Sequence, residues 1–346
     1  MTFKPECIAT AIGSFPHTDP AAVCELIMNT IPEIPCWPQL PNMDFREQMD
    51  FQYSEGIPRV IINAAEKKMH IDTSGDFSSD FETFYTQFLS ENNAHCAMTP
   101  AFSRGIFAFE DKLKQIDTSK IAYIKTQITG PVTFGMSVKD ESKKDIFYNE
   151  LFRDVIIKAI TMKARWMVHH FKQFGCNQIC FVDEPVLTGF GSSAYVTLQR
   201  EDVVNSMREV IDALHQDNVL IGTHCCGNTD WTILIEAGVD MVNFDAYEFG
   251  DTIAYYPEQV QAFLEKGGVL ACGIVPTSGK IADETPDSLV RKLDAVFDNL
   301  AAKGIPKSLI LEQCLLTPSC GTGSLSIELS EKVMHTLAEV SRLMRK

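Results

Sequence analysis

The chain has 346 residues, of which 45% are hydrophobic and 22% charged, enough for a large core and unlike the composition of a disordered chain. A formal charge of −16 argues against nucleic acid or an anionic membrane as partner, because both demand a positive surface. Eleven cysteines lack framework spacing, the N-terminal stretch is not leader-like, and no run approaches the ~18 apolar residues that span a bilayer, so the sequence reads as soluble, cytoplasmic and thiol-reduced. Along the chain, short apolar or β-branched runs alternate with long amphipathic stretches, the pattern of βα units. In order, strands are expected at 7–12, 33–37, 121–128, 178–182, 219–223, 241–244, 268–274 and 308–314. Helices are expected at 144–174, 199–215, 286–302 and 329–345, with shorter ones at 230–237 and 257–265. Thr285 before Pro286, and Asp19 before Pro20, are N-cap signals with proline in the first turn. Residues 40–118 fit no simple βα unit. Eight strands therefore predict a single (β/α)8 TIM barrel over residues 1–346, with an insertion of about 40–118 after the second strand.

In such a barrel the chemistry gathers where strands end at their C-terminal side. The segment Gly222-Thr223-His224-Cys225-Cys226-Gly227-Asn228 follows one predicted strand, and Pro318-Ser319-Cys320-Gly321 follows the last. Residues two apart on a strand share a face, so His224 and Cys226 reach one ion while Cys225 points away into packing. Imidazole plus thiolate suits Zn²⁺, and Cys320 completes a three-ligand set with an open fourth position. Asp245, directly after an apolar strand, is open between a weak fourth ligand, an acceptor for the His224 ring and a solvated acid; its position favours the first two. Asp183 and Glu184 form a paired-carboxylate turn before Pro185, suited to a substrate ammonium or to proton transfer. Ser14, in a Gly-Ser turn, offers hydroxyl and backbone N–H groups to a carboxylate. Catalytic work is thus assigned to Asp183 and Asp245, substrate contact to Ser14, Asp183 and Glu184, and metal to His224, Cys226 and Cys320.

The motifs IGSFP, ITGP, DEP, H-x-C and PSCG, in that order along the chain, resemble the catalytic barrel of cobalamin-independent methionine synthase. The stretch THCCGNTDWTILIEAGVDMVNFDAY is similar to the H-x-CGNT segment of the methylcobamide:thiol methyltransferases, and both families sit in the superfamily of uroporphyrinogen decarboxylase. The resemblance implies that His224, Cys226 and Cys320 bind zinc, that Asp245 falls where the synthases have a glutamate ligand, and that Ser14 and Asp183 hold the amino-acid end of homocysteine. It implies methyl transfer to a small thiol, either homocysteine or, in the methylcobamide type, coenzyme M. The synthases carry two barrels and this chain is one barrel long. That leaves the donor as a methyl-folate or a corrinoid brought by a carrier protein. The competing readings are a uroporphyrinogen-type decarboxylase, which calls for convergent arginines, and a non-catalytic barrel that binds a corrinoid or a thiol.

Overall fold

The protein is described over residues 3–346 of a computed structural model. Its first third holds α1 (Pro20–Thr30), α2 (Met49–Gln52), an antiparallel hairpin of β1 (Val60–Asn63) and β2 (Lys68–Ile71), α3 (Ser78–Leu89) and α4 (Arg104–Lys114). The middle runs β3 (Tyr123–Thr129), α5 (Pro131–Ser137), α6 (Glu150–Phe171), β4 (Asn177–Asp183), α7 (Arg200–Gln216), β5 (Leu220–Cys225), α8 (Trp231–Ala237) and β6 (Met241–Phe244). The last part adds α9 (Ala246–Phe249), α10 (Pro257–Glu265), β7 (Val269–Val275), α11 (Pro286–Ala302), α12 (Lys307–Glu312), β8 (Cys314–Pro318) and α13 (Ile327–Met344). Strands β3 to β8 form one parallel sheet in sequence order. Every residue of β7 is buried, as expected for a strand covered on both faces. The helices bury apolar residues at three- and four-residue spacing, for example Val155, Ile156, Ala159, Ile160 and Met167 of α6. Among the described residues, no helix is long and apolar enough to cross a membrane.

The expected closed eight-stranded barrel is not what forms: among the described residues the parallel sheet has six strands. The two missing strands, 7–12 and 33–37, lie side by side between the edge strands β8 and β3 without becoming strands. Segment 7–12 is held to β8 by Cys7 N–H to Cys314 O at 2.7 Å and Thr10 N–H to Leu316 O at 2.9 Å, yet it makes a single bridge, at Ala9. Segment 33–37 is held to β3 by Lys125 N–H to Pro35 O at 2.9 Å and bridges only at Cys36. The two meet where Gln39 N–H donates to Gly13 O at 2.7 Å. The reasons are local. Glu6 and Cys7 have φ values of 46° and 64°, which break an extended run at its start. Pro32, Pro35 and Pro38 punctuate the second segment and cannot donate to a ladder.

A third departure concerns the last strand. Residues 308–314, expected as a strand, are mostly helix α12, and β8 begins at Cys314. SLILEQCLLTP is one apolar run, and periodicity alone does not separate its helical half from its extended half.

The sheet's inner face explains where the site lies. Alternate residues of each strand share that face, and on it Ile179, Phe181, Met241, Val269, Ala271, Leu315 and Ile34 form a small apolar cluster separate from the main core. Two residues further along, the same faces turn polar: Asp183 follows Phe181, Asn243 follows Met241 and Thr317 follows Leu315, while His224 lies on β5 beyond Gly222. A polar layer thus sits on an apolar floor at the C-terminal strand ends.

Candidate metal centre

Three side chains converge in that layer. His224 is on β5, Cys226 is just past its end, and Cys320 follows β8; their ligand atoms all lie within 4.8 Å of one another. Cys225, between the first two, is buried on the other face, where its thiol meets Thr188 Oγ1 at 3.5 Å and Gly227 O at 3.7 Å. The Cys320 loop is pressed against the loop after segment 7–12: a Cβ on Gly323 would lie 2.2 Å from Ser14 Oγ, so a side chain there would have to displace the Ser14 hydroxyl.

The donor chemistry fits a divalent metal. The His224 ring is buried, its Nδ1 lies 2.5 Å from Asn243 Oδ1, and its Nε2 has no hydrogen-bond partner, which is costly for a buried nitrogen unless something outside the chain takes it. The two thiols differ in acidity. A hydrogen bond from Cys320, then the His224 imidazole, holds the Cys226 thiol well below the usual thiol range. The same contact, with burial, pushes Cys320 up. Burial pulls His224 down, but Cys226 and Asp183 outweigh it and the net shift is upward.

The cluster lies at the wall of a cavity of about 460 Å³, lined also by Ser14, Gln39, Glu47, Met49, Thr129 and Asp183. Three of the described lining residues each carry a buried polar atom without a partner: Asp183 Oδ1, Thr129 Oγ1 and Glu47 Oε2. Burial raises the Asp183 carboxyl to about 6, with His224 and Lys125 pulling the other way. Burial likewise raises Glu47 to about 7 against the Arg104 guanidinium, which sits 3.4 Å from its Oε1.

Among the residues singled out from sequence, His224, Cys226, Cys320, Asp183 and Ser14 share this cavity. Glu184 does not line it. Its two oxygens accept from Val132 N–H at 3.0 Å and Thr133 N–H at 2.6 Å, so it closes the N-terminus of α5 from the end of β4. Asp245 does not line it either: its carboxylate accepts from Glu248 N–H at 2.8 Å, capping α9, while the His224 charge still acts on it, and Asn243 is the acceptor hydrogen-bonded to His224. Sequence reasoning missed Asn243 and Glu47. Asn243 shows only as a polar residue inside the apolar run MVNF. Glu47 lies in the stretch assigned to an insertion, where no strand end pointed to it.

No family model matches the chain, and no curated protein matches it by sequence. Among solved structures, a B12-independent methionine synthase from Shewanella sp. W3-18-1, solved in complex with selenomethionine, superposes with a TM-score of 0.55 over 98% of this chain and 97% of that one, at 12% identity. At that identity the likeness is one of fold. A broad-specificity endoglucanase from Clostridium longisporum overlaps 67% of this chain and 86% of its own at 10% identity, and its TM-score of 0.31 bears no weight.

Proposed function

We propose that the chain is a zinc-dependent methyltransferase that methylates a small thiol, with homocysteine the favoured acceptor and methionine the product. The observation that carries this reading is the convergence of an unpartnered His224 Nε2 with Cys226 and Cys320 at the wall of a cavity that Asp183, which has an unpaired carboxylate oxygen, also lines. One imidazole and two thiolates suit Zn²⁺, and three protein ligands leave one position for an outside group. Bound there, zinc would deprotonate an incoming thiol, which when free has a pKa of about 8.5 and is mostly protonated at neutral pH.

The chain's own residues supply the rest. Asp183 and Glu47 offer buried carboxylates to a substrate ammonium, and Ser14, against the Gly321–Gly323 loop, offers its hydroxyl to a carboxylate. Ile12, Pro41, Met49 and Pro185 wall the cavity and limit water around the reacting sulfur. Holding acceptor and methyl donor in line is where most of the remaining rate gain would arise.

Charge ranks the alternatives. Coenzyme M would bring a sulfonate to a lining with two carboxylates, and a polycarboxylate for a uroporphyrinogen-type decarboxylation would meet no arginine or lysine among the described lining residues. The fold neighbour is B12-independent and was solved with an amino-acid selenoether. That supports an amino-acid acceptor and lends nothing to the corrinoid donor or carrier protein expected from sequence; a methylated nitrogen, as in a methyl-folate, is the donor that agrees with it.

Metal analysis with zinc-edge X-ray absorption tests the reading. One zinc per chain should gain an additional sulfur neighbour with homocysteine and not with coenzyme M, and the protein should convert homocysteine to methionine with a methyl-folate. A metal shell that neither thiol perturbs would leave zinc as a brace for the fold and overturn the proposal.

A further inference from the structure

We propose that Asn243 is a positioning residue for the metal centre: a clamp across the sheet that fixes the His224 ring so that Nε2, and not Nδ1, is the nitrogen offered to the ion. The inference rests on the zinc reading above. Its basis is a line of contacts perpendicular to the strands. His224 on β5 and Asn243 on β6 are register partners, as are Asn243 and Ala271 on β7. The Asn243 amide nitrogen donates to the Ala271 backbone carbonyl and to Thr317 Oγ1, both at 2.8 Å. A backbone carbonyl only accepts, so the nitrogen end of the amide must face β7 and the oxygen end must face His224. That oxygen also only accepts, so the ring nitrogen 2.5 Å away, Nδ1, must carry a proton. A protonated Nδ1 cannot ligate a metal, and coordination is left to Nε2, the atom without a partner.

The clamp is rigid because its members are buried. Asn243 and Thr317 are fully buried and His224 nearly so. An asparagine inside an otherwise apolar strand would be a liability if its three polar contacts were not all made. It also holds the imidazole with a neutral acceptor. A carboxylate at this place would add negative charge beside two thiolates, whereas the amide orients the ring without that charge.

The test reads the ring itself. In ¹⁵N-histidine NMR, the His224 Nδ1 proton should exchange slowly with solvent in both metal-free and metal-loaded protein. In protein loaded with ¹¹³Cd²⁺, the metal should couple to Nε2. Asn243→Leu should lose the protected proton and bind Zn²⁺ or Co²⁺ about 10- to 100-fold more weakly, the range for loss of a partner behind a metal ligand. Thr317→Val, which leaves the Ala271 contact in place, should keep the protected proton. Coupling of cadmium to Nδ1, or a freely exchanging Nδ1 proton in the wild-type protein, overturns the clamp whether or not Asn243→Leu folds. A protein that keeps the protected proton yet binds no zinc, cadmium or cobalt upholds the orientation of the ring and overturns the metalloenzyme reading instead.

Discussion

The two adjacent cysteines after β5 have opposite surroundings, and substitution should separate them. Cys226 shares a cluster with His224 and Cys320, while Cys225 is packed on the other face against Thr188 and Gly227. Cys226→Ser and Cys320→Ser should each leave the protein without zinc after gel filtration, as measured by plasma mass spectrometry. Cys225→Ser should retain a full complement and lose about 1 kcal/mol of stability at most, since only weak sulfur contacts go. Zinc lost equally from all three would mean that the cluster is not the binding site. Glu47 is a different kind of residue, a carboxyl buried without adequate compensation. Its pKa is raised above the ordinary 4.5 to about 7, so the native state holds this proton more tightly than the unfolded chain. The resulting stability is present below about pH 4.5 and is lost as pH rises through about 7. Glutamine does not titrate, so Glu47→Gln should match the wild type near pH 5 and gain on it towards pH 8 in urea midpoint. A constant offset across that window would place the neighbouring charges, not burial, in control of Glu47.

Elements differ in how far the sequence discloses them. Strand β6 occupies 241–244 and α11 occupies 286–302 as the apolar pattern and the Thr285-Pro286 cap predict, and Thr285 and Ser288 close a reciprocal capping box. The segments at 7–12 and 33–37 are apolar enough to suggest strands, but pairing is a property of backbone N–H groups and dihedral angles. Three prolines and two positive φ values remove those without disturbing hydropathy. The cluster of His224, Cys226 and Cys320 was legible because histidine and cysteine at strand ends carry their own chemistry. Asn243 was not, because its role depends on register with Ala271 and His224, which no single segment encodes. Glu184 resembles a substrate carboxylate in sequence because a strand-end acid looks the same whether it faces a cavity or the first turn of a neighbouring helix. Since it serves α5, Glu184→Ala should leave two buried N–H groups unpaired and lower stability by about 1–3 kcal/mol, with metal affinity unchanged. Chemical denaturation in parallel with a zinc titration checks both halves. A variant of wild-type stability that fails to bind substrate would return Glu184 to the cavity.

At the scale of the molecule, the proposed metal joins two distant parts of the chain, since Cys226 follows β5 and Cys320 follows β8, with β6 and β7 between them in the sheet. The Cys320 loop in turn packs on Ser14, whose backbone carbonyl accepts from Thr322 N–H at 2.7 Å, and Ser14 bridges to Gln39. The two segments that fill the space between the sheet edges without strand ladders are therefore tied, through that loop, to the same centre. Metal loading should act on them as well as on its ligands. A ligand that binds only the native state stabilises it by about 2.7 kcal/mol at a free concentration 100 times its Kd. Adding zinc to chelator-treated protein should raise the unfolding temperature accordingly, and amide hydrogen exchange should slow in the loops after β5 and β8 and also in 7–15 and 33–39. Protection confined to the two ligand loops would show that the irregular segments are held by their own packing, and that the centre and the closure of the sheet edges are energetically separate.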